Sequence, residues 1–301
     1  MNLKKTFAIA LAIVLTLGLL AGCGQKADPT KAPDGTEAPT TGAPEDTNAP
    51  TATDVPEETD APDVEVVRTK LVVGFDAEFP PYGYKNEAGE YVGFDLDLAA
   101  EVCARLGWEL VKQPISWDAK DMELESGAID CIWNGFTING REGQYEWTAP
   151  YVDNSQVFIV KADSGIATVA DLAGKIVAVQ TDSSAQAAIE DEDNAELLAS
   201  LGGLEKIPDY NNAFMNLEAG AVDAVAMDIG VADYQIAQRA EGMFVQLDEA
   251  LATEQYGVGF KLGNTELRDQ VMATLNEMAA DGKFAEIAET WGLTDAVCLG
   301  K

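Results

Sequence analysis

An internal echo narrows the fold more than any other feature of this chain. Leu124-Glu125-Ser126-Gly127-Ala128-Ile129-Asp130-Cys131-Ile132 is matched 93 positions later by Leu217-Glu218-Ala219-Gly220-Ala221-Val222-Asp223-Ala224-Val225, with five identities. Each copy reads as the end of a helix, a glycine stop and a hydrophobic strand. An accidental match of two common pieces is the competing reading. The sharper one is two similar α/β lobes, each built on this helix-strand unit.

The rest of the chain supports an α/β architecture. Lys70-Leu71-Val72-Val73-Gly74-Phe75 is a β-rich run, and Phe94, Leu98, Val102 and Leu106 follow at the spacing of a helix stripe that Gly107 ends. Strand-like and helix-like segments keep alternating over 109–115, 121–126, 129–134, 156–161, 176–180, 184–190, 206–210, 212–219 and 222–227. Near the end, Leu267, Val271, Leu275 and Met278 mark one more long amphipathic helix.

Charge and composition remove whole classes of function. Acidic residues outnumber basic ones 52 to 19, a net charge of −33, which is the wrong sign for a nucleic-acid partner. The chain has no histidine, so Ser-His and Cys-His nucleophile pairs are absent and so is the commonest metal ligand. No catalytic residue, metal ligand set or cofactor motif is assigned. Cys103, Cys131 and Cys298 match no metal or redox spacing; one disulfide plus a buried thiol, or three small core residues, both fit.

The first 66 residues read as address and tether. Lys4 and Lys5 precede an apolar run over 7–20, too short for the roughly 20 residues of a membrane-spanning helix, and the run closes on Leu20-Ala21-Gly22-Cys23. Residues 1–22 are therefore expected to be a signal peptide. Over 24–66 stand seven of the twelve prolines and eleven acidic residues, with no aromatics. Such a segment cannot bury enough apolar surface to fold. It is expected to act as a flexible spacer with a root-mean-square span of roughly 36 Å.

Ligands of open α/β sheets lie beyond the carboxyl ends of the strands. The segment Asn134-Gly135-Phe136-Thr137 and the pair Met227-Asp228 follow the two echoed strands and are expected to face each other across a cleft. Arg141 on one lobe and Asp228 on the other, both expected at the cleft mouth, would grip the two ends of a zwitterion, although either taken alone reads better as a surface charge. Thr181-Asp182-Ser183-Ser184 opens a helix whose N–H groups suit a carboxylate, or is simply a serine cap. Phe79 and Trp117 would stack on the ligand, or pack into the core.

Several stretches together resemble a known family, the amino-acid-binding lipoproteins and periplasmic proteins of ABC importers, solute-binding family 3. They are Gly74-Phe75-Asp76-Ala77-Glu78-Phe79-Pro80-Pro81-Tyr82, Tyr91-Val92-Gly93-Phe94-Asp95-Leu96-Asp97-Leu98, 134–141, Asp171-Leu172-Ala173-Gly174-Lys175, Ala221-Val222-Asp223-Ala224-Val225 and Gln255-Tyr256-Gly257-Val258. The resemblance spans 69–295. It implies a type II periplasmic-binding-protein-like fold of two lobes, each a sheet flanked by helices, joined by a two-strand hinge near 151–155 and 253–256. Residues 67–151 with 256–301 would form the first lobe and 155–252 the second.

By the same resemblance Arg141 takes the ligand α-carboxylate with the N–H groups of Thr137 and Ser184. Asp228, the Thr137 hydroxyl and the Gly135 carbonyl take the α-amino group. Phe79 and Trp117 are the aromatic walls; Asp76, Gln180 and Met227 read the side chain, with Asn134 and Ser183 beside them. Asn134 stands where small residues are commoner in the family. Asp76 points to a polar or cationic ligand side chain, leaving glutamine, lysine or arginine, and cystine open. Leu20-Ala21-Gly22-Cys23 resembles a lipobox, which implies a lipid on Cys23 and a monomer anchored on the extracytoplasmic face of the bacterial membrane, serving an ABC permease. Two other functions compete: a secreted dehydratase on this fold, with Glu78 as its acid, and an extracellular sensor module.

Overall fold

Leu71, Val73 and Phe75 alternate along the strand Lys70–Phe75 and are buried in one core cluster, while Val72 turns to a second cluster on the other face. A strand covered on both faces belongs inside a mixed or parallel sheet. It is flanked in parallel by Glu109–Pro114 and Cys131–Ile132; Gly259–Phe260 and Glu146–Trp147 extend the sheet in antiparallel fashion. The computed structural model describes residues 68–301, within the unit Asp63–Lys301. The signal peptide over 1–22, Cys23 and the spacer to residue 66 lie outside the described residues.

The second sheet has six strands. Gly203–Ile207, Ile176–Gln180 and Ala224–Asp228 run parallel, and the ten-residue strand Val152–Lys161 joins Ala224–Asp228 in antiparallel register. Phe244–Gln246 and Ala252–Tyr256 both pair with Val152–Lys161. The chain passes between the sheets twice, at Val152–Lys161 and at Ala252–Tyr256, and these two strands are bonded to each other from Tyr256 opposite Val152 to Ala252 opposite Gln156. After the second crossing the helices Thr265–Asp281 and Lys283–Thr290 return to the first sheet, where Leu267, Val271, Leu275 and Met278 enter the core with the helix Phe94–Leu106.

The echoed segments have the same local structure. The helices Lys120–Ser126 and Tyr210–Ala219 stop at Gly127 and Gly220, whose φ values of 77° and 72° are in the left-handed region that glycine occupies without strain. Asp130 then accepts from the Val72 N–H at 2.7 Å while its own N–H donates to the Val72 carbonyl at 2.8 Å. Asp223 makes the same clasp on Ile176, at 2.9 and 2.8 Å.

Some boundaries differ from expectation. The strand expected over 206–210 is Gly203–Ile207, because Pro208 has no N–H for the ladder and Asp209 caps the next helix, accepting from the Asn212 N–H at 2.8 Å. The disulfide alternative is not formed: Cys103, Cys131 and Cys298 are free thiols, the first two buried. Among the described residues no helix is long and apolar enough to cross a membrane.

Candidate functional site

Strand ends from both sheets meet between the lobes. Asp76 follows Lys70–Phe75 and is buried; its N–H donates to Asn134 Oδ1 at 2.8 Å. From the other lobe Gln180, the last residue of Ile176–Gln180, donates to Asp76 Oδ2 at 2.6 Å and to the Pro208 carbonyl at 3.1 Å. Burial pushes the Asp76 carboxyl up to about 6 against the opposing pull of the Glu78 N–H and the Gln180 amide. Met227 is fully buried in the main core cluster.

Gly135 must be a glycine. Its φ is 56°, and a Cβ there would stand 2.9 Å from Phe79 Cε1 and 3.1 Å from Tyr256 Cε2. The Gly135 N–H donates to Asp95 Oδ2 at 2.6 Å, and the Tyr151 hydroxyl donates to Asp95 Oδ1 at 2.9 Å. Asp95, on the first turn of Phe94–Leu106, thus holds the Gly135 turn in place. Complete burial pushes its carboxyl up to about 7.

Arg141 bridges the lobes. Its Nη1 donates to Ser184 Oγ at 3.0 Å and to the Thr137 carbonyl at 3.3 Å, and its guanidinium lies 5.4 Å over the Phe136 ring. Ser183 caps the helix Ser184–Glu190 by accepting from the Gln186 N–H at 3.1 Å. Asp182, at φ 61°, turns its carbonyl toward the first lobe, where Trp117 Nε1 donates to it at 3.2 Å. Its carboxylate pairs with Lys120, a buried cation whose Nζ lies 5.5 Å from the Trp117 ring. Trp117 also meets Phe136 edge to face at 5.5 Å, and the Phe79 and Tyr210 rings approach across the cleft at 6.0 Å. Both aromatic residues therefore border the cleft and pack at the same time. A groove of about 830 Å3 opens beside Arg141 and Ser184.

Asp228 lies deeper than the cleft mouth. It is 4% exposed and accepts from Tyr256 Oη at 2.6 Å, Asn154 Nδ2 at 2.8 Å and Gln156 Nε2 at 2.8 Å. The same two amides also donate to Glu254 Oε1, at 2.7 and 2.8 Å, which the Thr137 hydroxyl reaches at 2.8 Å. Burial first and Glu254 second push the Asp228 carboxyl up to about 7. Glu78 is exposed on the rim and accepts from the Asn211 amide. An exposed, solvated carboxylate gives little support to an acid catalyst in the cleft.

Sequence reasoning missed Glu254, Asn154, Gln156, Asp95 and Lys120. Glu254 directly precedes the Gln255-Tyr256-Gly257-Val258 motif, and strand alternation puts Asn154 and Gln156 on one face, so the signal for these three lay in the hinge. Lys120 and Asp95 carried no signal of burial beyond their helical positions.

Comparison with known proteins gives the family. The family model of the bacterial extracellular solute-binding proteins, family 3, matches residues 71–294. The chain belongs to that family. Among curated members, the L-cystine-binding protein TcyJ of Escherichia coli is 27% identical over 229 residues, covering 74% of this chain and 83% of that protein. The ABC transporter glutamine-binding protein GlnH of Bacillus subtilis is 27% identical over 300 residues, 96% of this chain and 97% of that one. Among solved structures, an ABC uptake transporter substrate-binding protein of Streptococcus pneumoniae with bound histidine superposes with a TM-score of 0.72 at 32% identity, over 76% of this chain and 94% of that one. An ancestral arginine-binding protein bound to glutamine gives 0.68 at 34%, over 75% and 99%. The family's two-lobed architecture, a sheet with flanking helices in each lobe, is the architecture of this chain.

Proposed function

We propose that this family member captures an amino acid with a polar or cationic side chain between its lobes and delivers it, as a monomer, to an ABC permease. Asp76 carries the choice of ligand class. It is a buried carboxylate that pairs with no lysine or arginine among the described residues, and the facing lobe offers it the amide of Gln180. A ligand amide, ammonium or guanidinium would satisfy it; an acidic or purely apolar side chain would leave it buried without a matching donor. Arg141 with Ser184 suits the α-carboxylate, and Asp228 with Thr137 suits the α-amino group. Phe79 and Trp117 flank the carbon chain, while Asn134, Gly135, Ser183 and Met227 shape the pocket. The curated relatives bind cystine and glutamine by name, and both ligands fit this reading.

A thermal-shift screen of the twenty amino acids with cystine and ornithine tests it, since a ligand that binds only the native state raises its melting temperature. Glutamine, arginine, lysine, histidine or cystine should give the largest rise, and glutamate and leucine none. A screen in which no amino acid raises the melting temperature would refute the reading. The lipid anchor belongs to the same proposal: metabolic labelling with palmitate should disappear in Cys23→Ser, leaving the protein released from the outer face of the membrane.

A further inference from the structure

Two buried carboxylates, Asp228 and Glu254, stand together where the hinge strands meet the cleft. Asn154 and Gln156 point from one face of the strand Val152–Lys161 between Asp228 on one neighbouring strand and Glu254 on the other, and each amide donates to both acids at 2.7–2.8 Å. Asp228 is 4% and Glu254 7% exposed. The amide oxygens Asn154 Oδ1 and Gln156 Oε1 are buried and accept no hydrogen bond. The Tyr82 and Tyr210 hydroxyls stand near Asp228 and the Tyr256 hydroxyl donates to it, while the nearest cation on the Glu254 side is Arg141, which lines the same groove and donates to the Thr137 carbonyl rather than to either acid. Among the described residues no lysine or arginine forms an ion pair with either acid. Four buried acceptor groups around one spot, two of them carboxylates, ask for positive charge.

We infer that Glu254 is a second carboxylate of the ammonium site, and that the Asp228–Glu254 pair holds one proton which the incoming ammonium of an amino acid displaces to solvent. The inference rests on the proposed amino-acid capture and adds to it a residue and a proton. Two adjacent buried carboxylates cannot both ionise cheaply, so without a ligand one proton stands in for the missing cation. The ligand brings a positive charge of its own, the proton leaves, and the net charge of the site is the same before and after. The upward-shifted Asp228 carboxyl fits this account, with Glu254 among its causes. Because binding requires the ionised pair, affinity should weaken as the pH falls through about 7, and a ligand without an α-amino group should bind with no proton release.

Calorimetric titrations of the mature protein with L-arginine, L-glutamine, L-histidine and L-cystine, each in two buffers of different ionisation enthalpy at pH 5.5, 7 and 8.5, count the protons released. The wild type should release about one proton at pH 5.5 and almost none at pH 8.5, with affinity about thirtyfold weaker at the acid end. Glu254→Gln keeps the shape and an acceptor oxygen, so it should fold. It should bind about tenfold more weakly at pH 8.5, where an anionic acceptor is lost, and release measurably fewer protons than the wild type at pH 5.5. Glu254→Asp, which keeps the charge, should restore the proton release. Wild-type affinity and proton count in Glu254→Gln would overturn the inference while leaving amino-acid capture intact. So would a loss of affinity that is the same at every pH with proton release unchanged. A wild type that binds none of the four, and no other amino acid in the thermal-shift screen, would overturn the functional reading and this inference with it.

Discussion

The two echoed helix-strand units share their scaffolding and differ in what they present. In both, a left-handed glycine stops the helix and an aspartate clasps the first residues of a neighbouring parallel strand, Asp130 on Val72 and Asp223 on Ile176. Beyond the clasps they part. In the first unit the ladder covers only Cys131–Ile132, and the chain turns at Gly135 to present a carbonyl and the Thr137 hydroxyl. In the second the strand runs the full Ala224–Asp228 and ends on a carboxylate. Shared sequence thus marks the frame, and the proposed ligand contacts begin where the echo stops.

The largest break in the comparison should come at those ends. On the proposed reading Arg141→Ala leaves the ligand carboxylate buried without its cation and Asp228→Ala leaves the ammonium only Glu254, each a loss typically of ~2–5 kcal/mol, or roughly 30-fold to several thousand-fold in affinity. Thr137→Ala removes one neutral hydroxyl and should cost only ~1 kcal/mol. Titration calorimetry with the best amino acid from the screen gives all three; equal losses at Thr137 and Asp228 would mean that the two ends contribute alike.

A second test concerns stability. Asp130→Ala and Asp223→Ala should each destabilise by about 1–3 kcal/mol in urea unfolding, since a backbone N–H loses its acceptor. The Asp130 loss should be the larger. That carboxylate is less exposed, 23% against 40%, and pairs with Arg68 at 2.9 Å, whereas Lys175 stands 3.8 Å from Asp223. The reverse order would show that the clasps are not equivalent devices.

Acid should sharpen the likeness of the two ends. Asp95, which holds the Gly135 turn, and Asp228 are both pushed up to about 7, and Asp76 to about 6, from an ordinary value of 3.8. A carboxyl raised in the folded state contributes stability that is complete below its unfolded value and is lost as pH rises through the folded one. The ligand-free melting temperature should therefore rise between pH 8 and pH 5. Asp95→Asn and Asp228→Asn should each flatten that profile; a profile unchanged by both would exclude these groups as its source.

The smallest effect should fall on the glycine stops. At neither Gly127 nor Gly220 does any atom lie within 4 Å of the place an alanine methyl would take, so alanine meets only the left-handed backbone penalty of about 1 kcal/mol, equal at the two sites. Unequal melting shifts in Gly127→Ala and Gly220→Ala would break the symmetry at its most local level.

Much of this is legible in the residues alone. Periodicity carries the helix Phe94–Leu106 and the C-terminal Thr265–Asp281, and the end of the second echoed strand leads to Asp228, whereas Asp76 and Gln180 come only from the family resemblance. Glu254 is not legible, because an acidic residue on a short strand reads as a solvent-facing charge until the strand is known to run beside Val152–Lys161 in the hinge. Lys120 escapes for the same reason: a lysine at the start of a helix looks solvated, and its burial comes from Trp117 on its own lobe and Asp182 on the other.

The sequence by itself determined the two-lobed α/β plan and the echoed frame, because hydrophobic period and glycine stops act over a few neighbouring residues, whereas the aspartate clasps join positions 58 and 47 residues apart and appear only in the fold. Only the tertiary structure decided which charges are buried together. Asp228 and Glu254 are 26 positions apart along the chain, and Asp76 and Gln180 more than a hundred. Their proximity follows from the hinge strands and from the packing of one lobe on the other. Desolvation and pairing depend on what those distant segments bring to one place, which no local pattern records.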